Sequence, residues 1–225
     1  MTSPPQDPLV SVDSDLEMLL DEARCDLERP HRMFEENDIQ RVLLMLGTSR
    51  NCAAYQSYRD EARSLAAAVS AWSAKQQSQE KIWVCSGGKG GLMSAVSEGV
   101  ATEGEHALGF GFANSGHPTN HNQHEQFTHL FSELGLRDFW LYHRAVAIVA
   151  FPGGLGTLAE LFDALLHMQL GMRSKVPVFL YGSKFWRAAL NTASLLEHGV
   201  ASKEDLEAIR FCDTVEDVLK EFLEE

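Results

Sequence analysis

The sequence predicts an α/β protein with a doubly wound, mostly parallel sheet and helices on both of its faces. Two observations support this fold class. Apolar runs typical of strands alternate with stretches of helical periodicity, and polar or glycine-rich loops follow three of those runs. The strand-like runs are 41–47, 81–85, 106–112, 145–151, 176–181 and 208–212, and the helix-like runs lie near 55–75, 91–103, 125–143, 157–170, 184–197 and 214–223.

An acidic segment precedes the first strand-like run. Residues 1–13 are rich in Pro and Asp and are expected to be disordered. From Ser14 onwards apolar residues recur at helical spacing among acids, which predicts an amphipathic helix over 14–28. We therefore expect two parts, an N-terminal extension over 1–38 and a nucleotide-binding domain over 39–225.

Composition excludes several classes of protein. The formal net charge of −13 argues against binding of nucleic-acid polymers, which requires Lys and Arg to neutralise phosphates. The four cysteines are scattered without a CxxC pair, which suits a reducing cytosol. Neither a signal peptide nor an apolar span of membrane length is present in the sequence. A cytoplasmic protein without a membrane partner is expected.

The segment 151–160, Phe-Pro-Gly-Gly-Leu-Gly-Thr-Leu-Ala-Glu, joins an apolar strand-like run to a helix-like run. Glycines allow the backbone to approach a ligand closely, and the free N–H groups that begin a helix bind anions such as phosphate. Thr157 and Glu160 also have the spacing of a capping box, which needs no ligand. Capping does not explain Gly153, Gly154 and Gly156, because ordering several glycines costs entropy. The complete pattern favours a phosphate site.

Two other loops are predicted to reach the same place. In a sheet of order 3-2-1-4-5-6 the loops after the first, second and fourth strands meet at one crevice. Here these loops are 47–50, 86–91 and 152–157. The second is not a complete dinucleotide fingerprint, since Met93 replaces the third glycine, and it is not a Walker A loop, since Gly90 follows Lys89. A mononucleotide or sugar phosphate fits better than NAD or a nucleoside triphosphate.

The P-G-G-x-G-T-x-x-E signature of 152–160, together with S-G-G-x-G-x-x-M at 86–93, resembles the LOG ("lonely guy") family of cytokinin-activating phosphoribohydrolases. Many members carry the older label "lysine decarboxylase-like". The resemblance covers about residues 40–218 and implies a Rossmann-like fold and a homodimer that needs no cofactor. It also implies an activity, which is hydrolysis of the N-glycosidic bond of a nucleoside 5′-monophosphate, such as AMP or N6-modified AMP, to free base and ribose 5-phosphate.

The resemblance assigns roles to individual residues. Arg137, fifteen residues before Pro152, occupies the position of the family's arginine and forms the catalytic pair with Glu160. Asp138 stands where a lysine is usual, so this chain lacks one positive charge there. The resemblance assigns Gly153, Gly154, Gly156 and Thr157 to phosphate and ribose binding. The two earlier loops are expected to add Ser49, Gly87, Gly88 and Gly90, and Met93 is expected in the base pocket.

These roles also have a physical basis. Glycosidic cleavage passes through an oxocarbenium-like cation, which a carboxylate such as Glu160 stabilises while it orients or deprotonates the attacking water. The guanidinium of Arg137 can bridge that carboxylate and the ribose or phosphate through its fixed fork of donors. From its sequence context alone, without the resemblance, Arg137 is better interpreted as a solvated arginine on a helix.

A histidine-rich segment, 117–129, raises the alternative of a metal site. Spacing alone does not bring these imidazoles together, so we expect no metal and interpret the segment as a loop covering the nucleotide pocket.

Two alternative functions remain open. One is a broader purine or pyrimidine nucleotide nucleosidase with the same catalytic residues, and the other is a non-catalytic protein that binds a nucleotide or cofactor. Lysine decarboxylation is disfavoured, because it requires a lysine Schiff base with pyridoxal phosphate and no lysine lies near the P-G-G loop.

Overall fold

The computed structural model describes residues 8–88, 90–105, 107–113 and 125–223. The strands are β1 Arg41–Leu46, β2 Ile82–Ser86, β3 Ala107–Phe112, β4 Glu125–Phe131, β5 Ala145–Ala150, β6 Val178–Tyr181 and β7 Ile209–Cys212. The α-helices are α1 Pro8–Glu36, α2 Gln56–Ser73, α3 Gly91–Thr102, α4 Leu134–Leu141, α5 Leu155–Gln169, α6 Ser183–Ala189, α7 Thr192–Glu197, α8 Lys203–Leu206 and α9 Val215–Leu223. Within the described residues, no helix is long and apolar enough to cross a membrane.

The strands form one sheet in the order β4-β3-β2-β1-β5-β6-β7, and every neighbouring pair is parallel. The fold class and the order expected for the six strand-like runs are therefore confirmed, with one further strand at the edge. β1 illustrates why the apolar runs become central strands. Leu44 and Leu46 pack into the core on one face, whereas Leu43 and Met45 pack into the core on the other. A strand buried on both faces needs apolar residues at successive positions.

The additional strand, β4, corrects the prediction of a helix over 125–143. Residues Glu125–Phe131 pair with β3, and only Leu134–Leu141 is helical. Phe127, His129 and Phe131 alternate along β4 with the two-residue period of a strand. Phe131 is fully buried and packs edge-on against Phe110 of β3, so pairing and burial at the sheet edge outweigh the helical spacing.

The helix expected over 184–197 is also divided, into α6 and α7, because Asn191 caps the start of α7 by accepting a hydrogen bond from Ser194 N–H at 3.1 Å.

Helix α1 is longer than the predicted 14–28, since it runs from Pro8 to Glu36 and contains Pro30. A proline inside a helix costs about 3 kcal/mol. Packing compensates here, because Pro30 is buried and Phe34, one turn later, lies in the core against Phe110 and Trp140. Earlier in α1, apolar side chains are exposed. These are Leu16, Met18, Leu19, Leu20 and Leu27. The division of the chain at residue 38 stays a prediction, and residues 1–7 lie outside the described part.

Asp26 of α1 is buried and holds the start of α4. Its carboxylate lies 2.8 Å from His129 Nε2 and accepts hydrogen bonds from Ser132 N at 2.9 Å, Ser132 Oγ at 2.8 Å and Glu133 N at 3.3 Å. Burial alone would raise the pKa of Asp26, but these hydrogen bonds lower it below its usual value. Since α4 begins at Leu134, the carboxylate fixes the helix that carries Arg137.

Candidate functional site

The carboxyl ends of β1, β2 and β5 open onto a cavity of about 420 Å³. All three loops that the sequence predicts to meet contribute to its wall. Eight of the predicted site residues line the cavity: Ser49, Gly87, Met93, Arg137, Gly154, Gly156, Thr157 and Glu160. The other three, Gly88, Gly90 and Gly153, belong to the same loops without being among the lining residues.

The loop after β2 is fixed against the loop after β1. Gly91 has φ +53°, and a Cβ atom there would lie 2.5 Å from the carbonyl oxygen of Thr48. Only glycine combines that backbone conformation with that approach. Leu92 N then donates to Thr48 O at 3.1 Å, so α3 begins directly on the first loop.

Helix α5 begins at the cavity with Gly154 as its N-cap residue. Thr157 is therefore the third residue of the helix and not its cap, and the capping-box alternative for Thr157 and Glu160 is wrong. The backbone N–H groups of Leu155, Gly156 and Thr157 form the first turn, where an α-helix has no internal acceptors for them. This turn provides the geometry expected of an anion site.

Gly156 is not explained by the fold. Its φ is not positive, and a Cβ atom there would meet nothing within 4 Å. A glycine in a helix costs up to about 1 kcal/mol relative to alanine. Because Gly156 faces the cavity, close approach of a ligand to this turn would explain a residue that local structure does not require.

Arg137 connects the elements around the cavity. Its Nε donates to Phe110 O of β3 at 2.8 Å, and its Nη1 donates to Glu160 Oε1 at 2.6 Å and to Asp138 Oδ1 at 2.9 Å. A Cβ atom at Gly87 would lie 2.7 Å from Arg137 Nη2, so the absence of a side chain there makes room for the guanidinium. Burial opposes the charge of Arg137, but attraction to Glu160 and Asp138 outweighs it and raises the pKa of Arg137.

Asp138 is a second carboxylate on the same guanidinium. Burial raises the pKa of Asp138 to about 6, because the attraction of Arg137 offsets only part of the burial penalty and the nearby Glu160 adds repulsion. The Asp138 side chain is 15% exposed, and the residue is not among those that line the cavity. Asp138 is thus placed to act on the site through Arg137.

Sequence reasoning did not assign a role to six lining residues: Gly47, Thr48, Arg50, Phe112, Leu134 and Leu155. Arg50 adds a cation to the wall of the cavity, and its place in a polar loop after β1 was the available signal. Phe112 and Leu134 add apolar surface near Met93. Their signal was weaker, because apolar residues at strand ends and helix starts are usually core.

The described part of the histidine-rich segment does not form a metal site. His129 is buried on β4 and pairs with Asp26, and no group of three or more His, Cys, Asp or Glu side chains in the described residues could hold a metal ion. Residues 114–124, which include most of the predicted pocket cover, lie outside the described residues. The expectation that no metal is needed stays a prediction.

The fold and the cavity define a class, Rossmann-like α/β proteins whose glycine-rich loops meet at the carboxyl edge of the sheet. Within that class, this chain belongs to the family described as "possible lysine decarboxylase", which matches residues 93–222, more than half of the chain. The matched region contains Arg137, the P-G-G loop and Glu160, and the predicted relationship to the LOG family is confirmed. No lysine is among the described residues that line the cavity. No curated protein sequence matches the chain.

Solved structures share this fold. The protein TM1055 superposes with a TM-score of 0.56 at 18% identity, over 82% of this chain and 99% of its own. A molybdenum cofactor binding protein from the phototrophic bacterium Rippkaea orientalis gives 0.57 at 15% identity, over 82% and 96%. DNA processing protein A from Helicobacter pylori, described by its single-stranded DNA binding mode, gives 0.50 at 14% identity, over 84% and 83%. At such identities the likeness shows the fold alone.

Proposed function

We propose that this protein hydrolyses the N-glycosidic bond of a nucleoside 5′-monophosphate, AMP or an N6-modified AMP, to free base and ribose 5-phosphate. The supporting observation is the Arg137–Glu160 pair, with 2.6 Å between Nη1 and Oε1, at the wall of a cavity that the first turn of α5 also enters. A carboxylate for a ribosyl cation and a helix start for a phosphate are the two groups that this reaction requires.

In the proposed complex, the phosphate lies against the N–H groups of Gly156 and Thr157, with Arg50 nearby. The base then extends towards Met93, Phe112 and Leu134. As the C1′–N bond breaks, its electron pair goes to the base nitrogen, and Glu160 stabilises the ribosyl cation and orients the water. The water hydroxyl is added to C1′, and its proton is transferred by way of Glu160 to the leaving base. Arg137 holds the Glu160 carboxylate in position for both roles.

Asp138 supports a second candidate, a protein that binds a nucleotide or cofactor without cleaving it. A carboxylate competing for Arg137 weakens the case for an optimised catalytic pair. One structural neighbour is named as a molybdenum cofactor binding protein, which favours a cofactor-binding role as the alternative. A nucleosidase with a broader choice of base is the third possibility, since the apolar wall does not specify a base.

Incubation with a panel of nucleoside monophosphates, including N6-prenylated AMP, followed by chromatography of released bases, separates these functions. We expect stoichiometric free base and ribose 5-phosphate from AMP or its N6-modified form. Equal release from pyrimidine nucleotides would favour the broader nucleosidase. Tight binding without release would support the non-catalytic binding protein.

The first turn of α5 gives a prediction that separates ligand binding from stability. Gly156→Ala is expected to raise the free energy of unfolding by about 0.5 to 1 kcal/mol, because alanine is the better helix former. It is also expected to raise KM for AMP by about tenfold, since the new methyl group would occupy the phosphate position. Gly135→Ala is the matched control. It lies in the first turn of α4 with open space around it, and should stabilise the protein without changing KM. An unchanged KM in both variants would mean that the phosphate does not bind at the first turn of α5.

Activity is expected to survive exhaustive chelation, because Glu160 acts on the ribosyl cation and the backbone N–H groups and Arg50 act on the phosphate. Assays of base release before and after dialysis against a chelator check this. If chelation abolished release, zinc restored it, and His121→Ala or His124→Ala had the effect of chelation, the histidine-rich loop would become a metal site.

We further propose that the protein is a homodimer. Helix α5 and its C-cap residue expose apolar side chains that a second copy would cover, Leu155, Phe162, Leu166 and Leu170. Light scattering at micromolar concentration is expected to give twice the 25.0 kDa of one chain. Leu166→Glu should shift the mass towards the monomer. A wild-type mass of one chain at that concentration would contradict the proposal.

The other proposed partners and the location follow from composition. With a formal net charge of −13, we expect a mononucleotide substrate and no nucleic-acid polymer. From the scattered cysteines and the absence of a long apolar run in the sequence, we expect a cytoplasmic location and no membrane partner.

A further inference from the structure

A second cavity of about 320 Å³ lies near the amino ends of β5 and β6. It is at the edge of the sheet opposite the cavity that Glu160 lines, which we call the nucleotide cavity. Ile148, Ala164 and Met168 form an apolar wall between β5 and the inner face of α5. Arg144 and Arg173 also line this cavity. A lining that joins an apolar surface to a few polar groups is typical of small-molecule sites.

The two arginines differ in how they are paired. Arg144 Nη2 pairs with Glu35 at 2.5 Å. Arg173 donates instead to two backbone carbonyls, Tyr142 O at 2.6 Å and Phe139 O at 2.7 Å. Among the described residues, no carboxylate lies within salt-bridge distance of Arg173. It is therefore a half-buried cation with no carboxylate in contact, although Asp163 attracts it from a greater distance. Its guanidinium also lies over the rings of Phe139 and Tyr142.

Burial and nearby charges shift the pKa of Arg173 and of His143, which lies near this cavity. Burial lowers the pKa of Arg173 below its usual value. Burial, together with repulsion from Arg144 and Arg173, lowers the pKa of His143 to about 4. A ligand with a negative charge would compensate the buried cation, whereas a neutral ligand would leave that cost in place.

We propose that this second cavity binds a small organic anion, a phosphate monoester or carboxylate that carries an apolar or aromatic group. The anionic oxygens contact the guanidinium of Arg173, which offers a fork of donors to them. The apolar group occupies the space between Ile148, Ala164 and Met168. Such a ligand binds separately from the nucleotide at the carboxyl edge.

Two residues that line the second cavity, Arg173 and Tyr142, form hydrogen bonds to the helices that carry Arg137 and Glu160. Arg173 holds the C-terminal end of α4 through the carbonyls of Phe139 and Tyr142, and Arg137 lies on that helix. Tyr142 Oη donates to the backbone carbonyl of Glu160 at 2.9 Å. An anion bound to Arg173 would compete with its hydrogen bonds to the end of α4. The positions of Arg137 and Glu160 would thus be held differently when the anion is bound. This regulatory consequence rests on the proposed function, whereas binding to the cavity does not.

Isothermal titration calorimetry with phenyl phosphate and with benzoate tests the binding, in the presence of saturating ribose 5-phosphate to occupy the nucleotide cavity. We expect at least one of the two probes to bind once per chain. Inorganic phosphate, which lacks the apolar group, should bind at least tenfold more weakly. No heat of binding from either aromatic anion would overturn the proposal.

Substitutions at the lining of the second cavity test whether the probe binds there. Arg173→Met removes the cation, and Ala164→Leu fills the apolar space while leaving the contacts of Arg173 intact. Each is expected to weaken binding of the probe at least tenfold. Lys175→Met is the matched control, because it removes an exposed positive charge two residues away and outside the cavity, and it should bind as the wild type does.

Binding that persists in Ala164→Leu would refute the assignment, even if Arg173→Met proved unstable. The outcome is independent of turnover. If the probe binds as expected but no nucleotide releases its base, the proposed function fails and the second site stands. If base is released but neither probe binds, the second site fails alone.

Discussion

Glu160→Gln is expected to reduce base release from AMP by about 10³-fold or more while changing the Kd of the nucleotide by less than about tenfold. The amide keeps the size of the side chain and an oxygen that can accept a hydrogen bond from Arg137 Nη1. In the wild type this nitrogen lies 2.6 Å from Glu160 Oε1. It loses the negative charge, which matters mostly when the ribosyl cation forms. Single-turnover assays and equilibrium binding, measured on the same samples, separate the two effects.

Asp163→Asn is the matched control for Glu160→Gln, since it removes one carboxylate charge from the same helix, three residues further along. Asp163 is 38% exposed and is not among the residues that line the cavity. Its rate should stay within about threefold of the wild type. If Glu160→Gln lost binding and rate to the same extent, Glu160 would be a binding residue, and the proposed mechanism would be wrong.

The position of Arg137 depends on both ends of α4. At its start, Asp26 of α1 accepts hydrogen bonds from Ser132 and Glu133. At its end, Arg173 donates to the last carbonyls of the helix. A helix of eight residues has little stability of its own, so these tertiary contacts set its place on the sheet. The N-terminal segment, through Asp26, therefore belongs to the architecture of the site.

Much of the fold could be predicted because the central strands carry strong local signals. Their apolar runs are continuous, and the loops at their carboxyl ends are rich in glycine. β4 was missed because it is an edge strand whose polar residues, such as Thr128, conceal the alternation of Phe127, His129 and Phe131. The extent of α1 was missed because the helix continues through Pro30, and only the burial of Phe34 against distant residues explains that.

The candidate site was predictable to different degrees. The glycine-rich loops were identified from local pattern together with an assumed strand order. Arg137 was assigned only through the family resemblance, since its burial depends on Phe110, Gly87 and Glu160, which are distant in sequence. The hydrogen bond from Ser132 N to Asp26 joins residues 106 positions apart, and no local sequence pattern predicts it. Contacts of this kind require the fold to be known first.

Asp138→Asn is expected to make the protein more stable than the wild type, and increasingly so as the pH rises. The pKa of Asp138 is raised from 3.8 to about 6, chiefly by burial. A carboxyl group whose pKa is raised on folding contributes stability below its unfolded pKa and loses it as the pH passes the folded pKa. The elevation corresponds to about 3 kcal/mol. Urea unfolding at about pH 4 and about pH 7 should therefore show a difference between variant and wild type that grows by up to this amount. A constant difference would mean that Asp138 is not destabilised by its charge.

The same substitution is expected to improve nucleotide binding above about pH 6, where the wild-type carboxylate is ionised. A unit charge about 10 Å from a ligand contributes about 1 to 2 kcal/mol at an effective dielectric constant of about 20. Removal of the Asp138 charge should thus lower KM for AMP by about tenfold at about pH 8. Below about pH 5 the wild-type carboxyl is protonated, so the two KM values should converge. A KM ratio that is equal at both pH values would show that the charge of Asp138 does not act on the bound nucleotide. The departure from lysine at this position would then affect stability and not substrate binding.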